Sequence, residues 1–513
     1  MKCALLLLTA FVALYSAACS GGGSTTPPPP PPPGPFKAAS LNGQYAFSMS
    51  GNEAATTNGA AANFFTRAGT FTANGAGVIL GGVEDVNLIT GSTRLAFTGG
   101  SYTINGDGRG TLSLVNSTGT LTFSITLTST SGGLLAQMPP DGSATASGSF
   151  IKQTAAAFSK AGIANDYAFD FTGIDPTGNA ESIVGHVHSD GAGSFTTGIW
   201  DDNDGGFTTP PTAATPITGT YAADSINPGD LAAFGRGVIN IGGIQGAFYV
   251  VDQTRFIFIE TSSGGAIIGS ASLQSNVPTS TAGITGGFAF VMAGNAQFDP
   301  FVRGGRFSTS GGALSSILID QNDAGIAGSF PTAGSNTSGT YTIDSNGTGR
   351  GTATFILPGA GSGAFTFVFY LTSPTQGVIQ DQSPGVVADG TLIGQPATIT
   401  NAFLGGNYAF DWSGITSNEE DIIGQFKLAT GSFTGNADLN EFGRLLPATG
   451  IPVTGTLALS GDGSGHNVFT INLQTNPANN NITFFAYVGN NNTILLISTQ
   501  NVRVAAGVAN FQP

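Results

Sequence analysis

Cationic side chains are scarce: fifteen Lys plus Arg stand against thirty Asp plus Glu in 513 residues, for a formal charge of −15. Neutralising phosphates requires a basic footprint that this chain lacks, which argues against nucleic acid as a partner. Charge of either sign is thin, at 9% of residues, and the acids are dispersed without blocks, a pattern that serves solubility. Cysteine is confined to Cys3 and Cys19, so the remainder has neither a disulfide framework nor a CxxC site. No apolar run beyond residue 20 reaches the length of a membrane-spanning helix, and convincing helical periodicity is absent. Also missing are a Gly-x-Ser-x-Gly elbow, a His-Glu-x-x-His helix and a catalytic Cys beyond the leader. The paired acids Glu84-Asp85 and Glu419-Glu420 are neighbours on strand-like runs and point to opposite faces, the wrong geometry for a glycosidase pair. Glycine is abundant instead, with 78 residues. Together with Ser, Thr and Asn it makes a palette for strands and tight turns.

The first residues read as an address. Met1-Lys2 is a short positive start, and Ala4 to Ala13 is an apolar run containing Leu5 to Leu8, the layout of a secretory signal over residues 1–18. The stretch Ser16-Ala17-Ala18-Cys19-Ser20 resembles the lipobox of bacterial lipoproteins. That resemblance implies cleavage before Cys19 and a diacylglycerol on its thiol, and Ser20 after it implies the outer membrane. Residues 19–37 form a tether: glycines and Ser24-Thr25-Thr26 are flexible, and Pro27 to Pro33 form a stiff polyproline rod. At about 3.1 Å per residue those seven prolines span roughly 20 Å.

Beyond the tether the chain repeats. An aromatic strand closing on glycine starts at Tyr45, Tyr167, Phe288 and Tyr408 (Tyr-Ala-Phe-Ser-Met-Ser-Gly51, with equivalents ending at Gly173, Gly294 and Gly414). Large residues alternate along it, so one face is buried. A second signature is Gly100-Ser101-Tyr102, Gly219-Thr220-Tyr221, Gly339-Thr340-Tyr341 and Gly455-Thr456-Leu457. Gly-Arg-Gly follows at Arg109, Arg236 and Arg350, with Gly463-Ser464-Gly465 in the fourth copy. A third signature pairs Gly148 with Gln153, Gly269 with Gln274, Gly390 with Gln395, and Gly507 with Gln512. The period is far too long for a solenoid turn or propeller blade, so each repeat is a domain. The expected modules are 38–154, 160–275, 281–396 and 401–513, with no further domain behind them. Each holds about eight strand-like runs, which suits an all-β antiparallel module: an up-and-down barrel is preferred, with a two-sheet sandwich as the alternative. In strand count and size alone the module looks like lipocalin or avidin-type barrels. Brief linkers suggest a string of modules, each with its own core.

One polar cluster recurs in every module: Asp85-Val86-Asn87, Asp201-Asp202-Asn203-Asp204, Asp320-Gln321-Asn322-Asp323 and Asp438-Leu439-Asn440-Glu441. Alternating oxygens on a turn suit calcium, with Asp201, Asn203, Asp204, Asp320, Asn322 and Asp323 as the candidate ligands. The EF-hand spacing is missing, and Asp and Asn also stabilise turns by themselves. Gly-Arg-Gly lacks the helix N-terminus of a phosphate loop. Its plain reading is a hairpin turn whose Arg pairs with a carboxylate of the same module, the cluster aspartate being a candidate. His186-Val187-His188 places two imidazoles on one strand face, without a third ligand to make a metal site. No catalytic residues and no cofactor other than calcium are assigned.

The reading that follows is an exported lipoprotein, membrane-bound through its anchor, that displays four modules in a non-catalytic binding, adhesive or structural role toward envelope polysaccharide or protein. One alternative is a carrier with an apolar ligand in each barrel. A secreted hydrolase is a further alternative.

Overall fold

The computed structural model describes residues 35–54, 62–205, 214–331, 337–357, 364–443, 448–460, 466–474, 480–490 and 493–513. The signal, Cys19, the prolines and Gly463-Ser464-Gly465 lie outside the described residues. Four closed, eight-stranded antiparallel barrels follow one another in an up-and-down order. In barrels 1 and 3 an extra strand, Gly91–Phe97 or Ile326–Phe330, lies beside the far half of the third strand. The barrel expectation is met, and the sandwich is set aside.

Each barrel begins on the aromatic signature. Its first strand is Asn42–Ala54, Ala164–Ile174, Gly286–Ala296 or Gly406–Ile415. It pairs both with the second strand and with the last one, which closes the cylinder. The repeated glycines explain that closure. A Cβ at Gly51, Gly173 or Gly294 would lie 2.0 Å from a last-strand carbonyl oxygen, and one at Gly148, Gly269 or Gly390 would lie 1.9–2.0 Å from a first-strand carbonyl. The two strands therefore cross at a distance only glycine permits.

The barrels are filled. Tyr45, Phe47, Phe71, Phe123 and Phe150 pack inside barrel 1, and comparable clusters occupy the other three. The enclosed space recorded inside barrel 3 is about 10 Å³, against Ile284, Phe288, Tyr341 and Leu371, room for roughly one water. The chamber that an apolar-ligand carrier requires is not formed there, and the aromatic residues serve as a packed core instead.

A short 3-10 turn plugs the entry of barrels 1 to 3, and the tyrosine of the second signature holds it. Tyr102 donates to the Leu41 carbonyl at 2.7 Å, Tyr221 to Ile163 at 2.9 Å and Tyr341 to Thr281 at 2.8 Å. Barrel 4 has Leu457 at this position, and Tyr408 reaches the Leu404 carbonyl of a helical entry turn instead.

The modules do not form a string. The first two strands of every barrel lie against the sixth to eighth strands of the next, and barrel 4 docks in the same way on barrel 1. The four make a closed ring.

Tyr221→Phe should cost about 0.5–1.5 kcal/mol, since it removes the hydroxyl's bonds to the Ile163 carbonyl and to Ser189, which keep each other as partners. Urea unfolding of the variant against the native chain measures the loss.

Candidate functional site

The recurrent polar residues meet in the four seams between barrels. The third strands, Val78–Leu88, Ser194–Asp204, Ala313–Asp323 and Ser432–Glu441, each carry the Asp-x-Asn pair. The cluster therefore sits on strands, where both the turn reading and the calcium reading had expected a turn. Spacing of two places the Asp and Asn side chains on one face, here the outer one.

The fifth strands begin with the opposing cation: Arg109, Arg236, Arg350 and His466. In the first seam Arg236 of barrel 2 grips Asp85 of barrel 1 bidentately, Nε to Oδ2 at 2.7 Å and Nη2 to Oδ1 at 2.8 Å, and the Tyr249 hydroxyl donates to the same carboxylate at 2.6 Å. The second seam repeats this with Arg350 and Tyr370 on Asp201, at 2.7, 2.8 and 2.7 Å. In the third, His466 lies 2.9 Å from Asp320, which also accepts from the Tyr487 hydroxyl. In the fourth, Arg109 of barrel 1 reaches Asp438 of barrel 4 through Nη1 alone, at 3.2 Å.

The aspartate of each latch thus belongs to the neighbouring barrel. Same-module acids also touch the arginines, namely Asp107 with Arg109, Asp224 with Arg236 and Asp344 with Arg350, so the same-module expectation held for a secondary contact only. In the sequence Ser464 occupies the position of the arginines. Strand register places His466 there instead: it faces Tyr487 as Arg236 faces Tyr249 and Arg350 faces Tyr370.

Asn and Gln complete the seams. The Asn203 amide donates to the Asp381 and Val386 carbonyls at 3.0 and 2.8 Å, Asn322 to Ser498, Gln500 and Arg503 at 2.9–3.1 Å, and Asn440 to Gln137 and Ala144 at 2.6 and 2.8 Å. Asn87 donates to Gly265 at 3.0 Å. At the other end of each seam the closing glutamine reaches the next barrel. Gln153 donates to Val250, Gln274 to Leu371, Gln395 to Val488 and Gln512 to Leu127, at 2.5–2.9 Å. Between them lie small apolar clusters, such as Ala46, Ala68 and Val83 against Tyr249, Val251 and Ile257. The alanine of every aromatic signature, Ala46, Ala168, Ala289 and Ala409, is fully buried there.

These latches are taken out of water. Burial works against the charge of Arg236, but hydrogen bonding and attraction from Asp85 outweigh it and raise its pKa above the ordinary value. Of the six calcium candidates, Asp201, Asn203, Asp320 and Asn322 are engaged in seams. Asp204 and Asp323 stand at barrel mouths, where burial and a nearby acid (Asp175 for Asp204, Asp299 for Asp323) raise their pKa. Among the described residues no group of three or more His, Cys, Asp or Glu side chains is gathered for a metal ion. The two strand histidines also have protein partners: His186 Nδ1 is 2.6 Å from the Gln274 amide oxygen and His188 Nδ1 is 2.9 Å from Asp166.

The barrel mouths hold polar groups that sequence reasoning missed. In barrel 1 Arg67 pairs with Glu84 at 2.8 Å, in barrel 3 Arg303 pairs with Asp381, and in barrel 4 Arg503 pairs with Glu420 at 2.8 Å. Barrel 2 gathers Asp175, Glu181, Asp202, Asp204 and Glu260, and no ion pair to any of these is formed among the described residues. Burial, then repulsion from the neighbouring acids, pushes Glu181 up to about 8, and the same causes push Asp202 up to about 6.

No family model matches the chain, and no curated protein matches it in sequence. Solved structures give distant overlaps. Transferrin binding protein B from Neisseria meningitidis serogroup B is 11% identical over 71% of this chain and 79% of its own, with a TM-score of 0.20. A transferrin binding protein B mutant from Haemophilus parasuis is 11% identical over 74% and 81%, with a TM-score of 0.18. At these scores the likeness carries no argument about fold or function.

Asp201→Ala should destabilise the ring by about 3–5 kcal/mol, because it leaves the Arg350 guanidinium buried without its partner. Denaturant unfolding measures this. Replacing Asp201, Arg350 and Tyr370 together by apolar residues of similar volume should restore most of the loss. A second prediction concerns pH. A carboxylate whose pKa is raised by folding binds protons in the folded form, so stability is greatest below about pH 4 and falls through pH 6 to 8. Glu181→Gln should therefore raise the melting midpoint at pH 8.5, by the equivalent of about 1–2 kcal/mol, and leave it unchanged at pH 4.

Proposed function

We propose that this protein is a cell-envelope lipoprotein, anchored through Cys19 in the outer membrane, whose ring of barrels is a rigid, non-catalytic platform for binding an envelope polysaccharide or protein. The observation that carries the reading is the polarity of the ring. Every first strand starts at one end of its barrel, the end that Phe36 and the tether enter, where the Phe36 amide donates to the Gly106 carbonyl at 3.4 Å. Most hairpins at that end are tight, spanning 75–77, 130–131, 253–254, 311–312 and 374–375. The opposite end carries longer connections such as 138–143, 175–179, 261–265 and 499–503. A chain held by its tether would turn these longer loops away from the lipid, and recognition residues concentrate on loops set on a rigid scaffold. Filled barrels support the same reading, since they leave the outside of the ring as the surface for contact.

The chain has no cysteine beyond Cys19, which permits a clean test. On intact cells a membrane-impermeant maleimide should label Ser143→Cys, at the loop end, faster than Ser131→Cys, at the tether end. Cys19→Ala should move the protein from the membrane to the soluble fraction, and native Cys19 should carry a diacylglycerol mass. Equal labelling of the two positions would count against the orientation, and an unmodified N-terminus would overturn the anchor.

A further inference from the structure

Three of the four seams are bridged by chain, through residues 153–163, 274–285 and 395–405. The seam between barrels 4 and 1 has no such bridge and is held by noncovalent contacts, among them the Gly443 amide donating to the Gly142 carbonyl at 3.2 Å. Its latch is also the weakest of the set. Arg109 makes one contact to Asp438 at 3.2 Å, and Thr126 stands across from Arg109 where the other barrels place Tyr249, Tyr370 and Tyr487.

This seam contains carboxylates that no cation faces. Asp421, fully buried on the second strand of barrel 4, accepts from Thr145 Oγ1 and Ser147 Oγ of barrel 1, each at 2.6 Å. Glu419 accepts from the Asn52 amide of barrel 1. Asp411, on the adjoining first strand, has a buried Oδ1 without a hydrogen-bond partner. The charged groups around them are committed elsewhere or are themselves acidic. Arg503 is bidentate on Glu420, at 2.8 and 3.0 Å, and Arg109 is on Asp438. Glu53 lies on the facing strand of barrel 1, its own pKa raised by burial against a smaller opposing pull from Arg67, and Glu441 ends the third strand of barrel 4. Neutral hydroxyls and an amide satisfy a protonated carboxyl, but they compensate a desolvated anion poorly.

We propose that the seam between barrels 4 and 1 is a proton-held clasp: it is shut while Asp421 and Glu419 carry protons, and the ring opens there when they ionise. Burial is the first cause for all three acids, followed by repulsion from Asp421 for Glu419 and Asp411. It pushes Glu419 up to about 9 and Asp411 up to about 7, and it raises Asp421 against the hydrogen bonds from Ser147 and Thr145. The sign follows from linkage. The shut seam binds protons that the open seam, with its carboxylates in water, would release near pH 4. The clasp is therefore firmest at acid pH and loosens as the pH climbs toward 9. The second seam also buries an acid, Asp389 beside Asp170 and Thr172, with its pKa raised by burial and then by Asp170, but that seam, like the first and third, is bridged by chain and cannot part.

The test uses the mature full chain. Hydrogen exchange of amides in 134–138 and 421–425 is compared, at each pH, with that of the first seam in 247–251, so that the intrinsic pH dependence of exchange cancels. Between pH 5 and pH 9.5 the ratio should rise at least about tenfold, the change that one pKa unit of difference produces. The radius of gyration from small-angle scattering should increase while far-ultraviolet dichroism is unchanged. The double variant Asp421→Asn, Glu419→Gln should stay compact with a flat ratio at both pH values. A native exchange ratio and radius that do not change with pH would overturn the proposal, and that measurement needs no variant to fold. A double variant that folds and opens like the native chain would overturn it as well.

Discussion

Two adjacent faces on the outside of every barrel are withdrawn from water, and that constraint orders the whole molecule. A barrel satisfies its backbone hydrogen bonds internally and buries its inner side chains, so nothing in the cylinder itself says where a neighbour should sit. Apolar contact between outer faces gives attraction without direction. The buried carboxylate under each third strand gives direction. The latch aspartate is stabilised as an anion by its guanidinium, imidazole or phenol, so a barrel that slid by one residue or rotated by one strand would strand a charge. Small apolar residues supply attraction, and the Asp latch fixes the register.

The barrel fold was legible because its interior obeys simple rules. Alternation of large residues marks the first strand, and paired glycines mark where the last strand crosses it. The ring was less legible, although its traces were present. Phe248-Tyr249-Val250-Val251 and Phe367-Val368-Phe369-Tyr370-Leu371 are continuous apolar runs, which a strand carries when both its faces are covered. The alanine between the aromatic residues of each signature is small because another barrel touches it. Asp-x-Asn is visible in all four copies and reads as a turn, since these residues are turn formers; its spacing of two is also the spacing of one face of a strand. The partner of Asp320 was hidden for another reason. His466 stands two positions after the serine that aligns with the arginines, and only strand pairing brings it opposite Tyr487.

The mouths of the barrels show how far the copies have separated. Three mouths contain a carboxylate held by an arginine, and the second contains acids held by none among the described residues. The connections from the third strand to the fifth carry the differences in length. In the seams the Asp, the Asn, the closing Gln and the signature alanine repeat in all four copies, because each answers to the adjoining barrel, while the residues around them vary.

The head-to-tail docking of one barrel on the next is the contact that a cyclic homotetramer would use, and here it is written into a single chain. Fusion changes what such a ring can be. In a tetramer of identical subunits any alteration appears four times, so an uncompensated acidic mouth would be repeated around the axis. Within one chain it occurs once, which gives the ring a distinguishable side. The rotational geometry also fixes the copy number. An arc of three barrels would keep two faces uncovered and a fifth would have no place to dock, so gain or loss of one repeat should be far less tolerated here than in an open array.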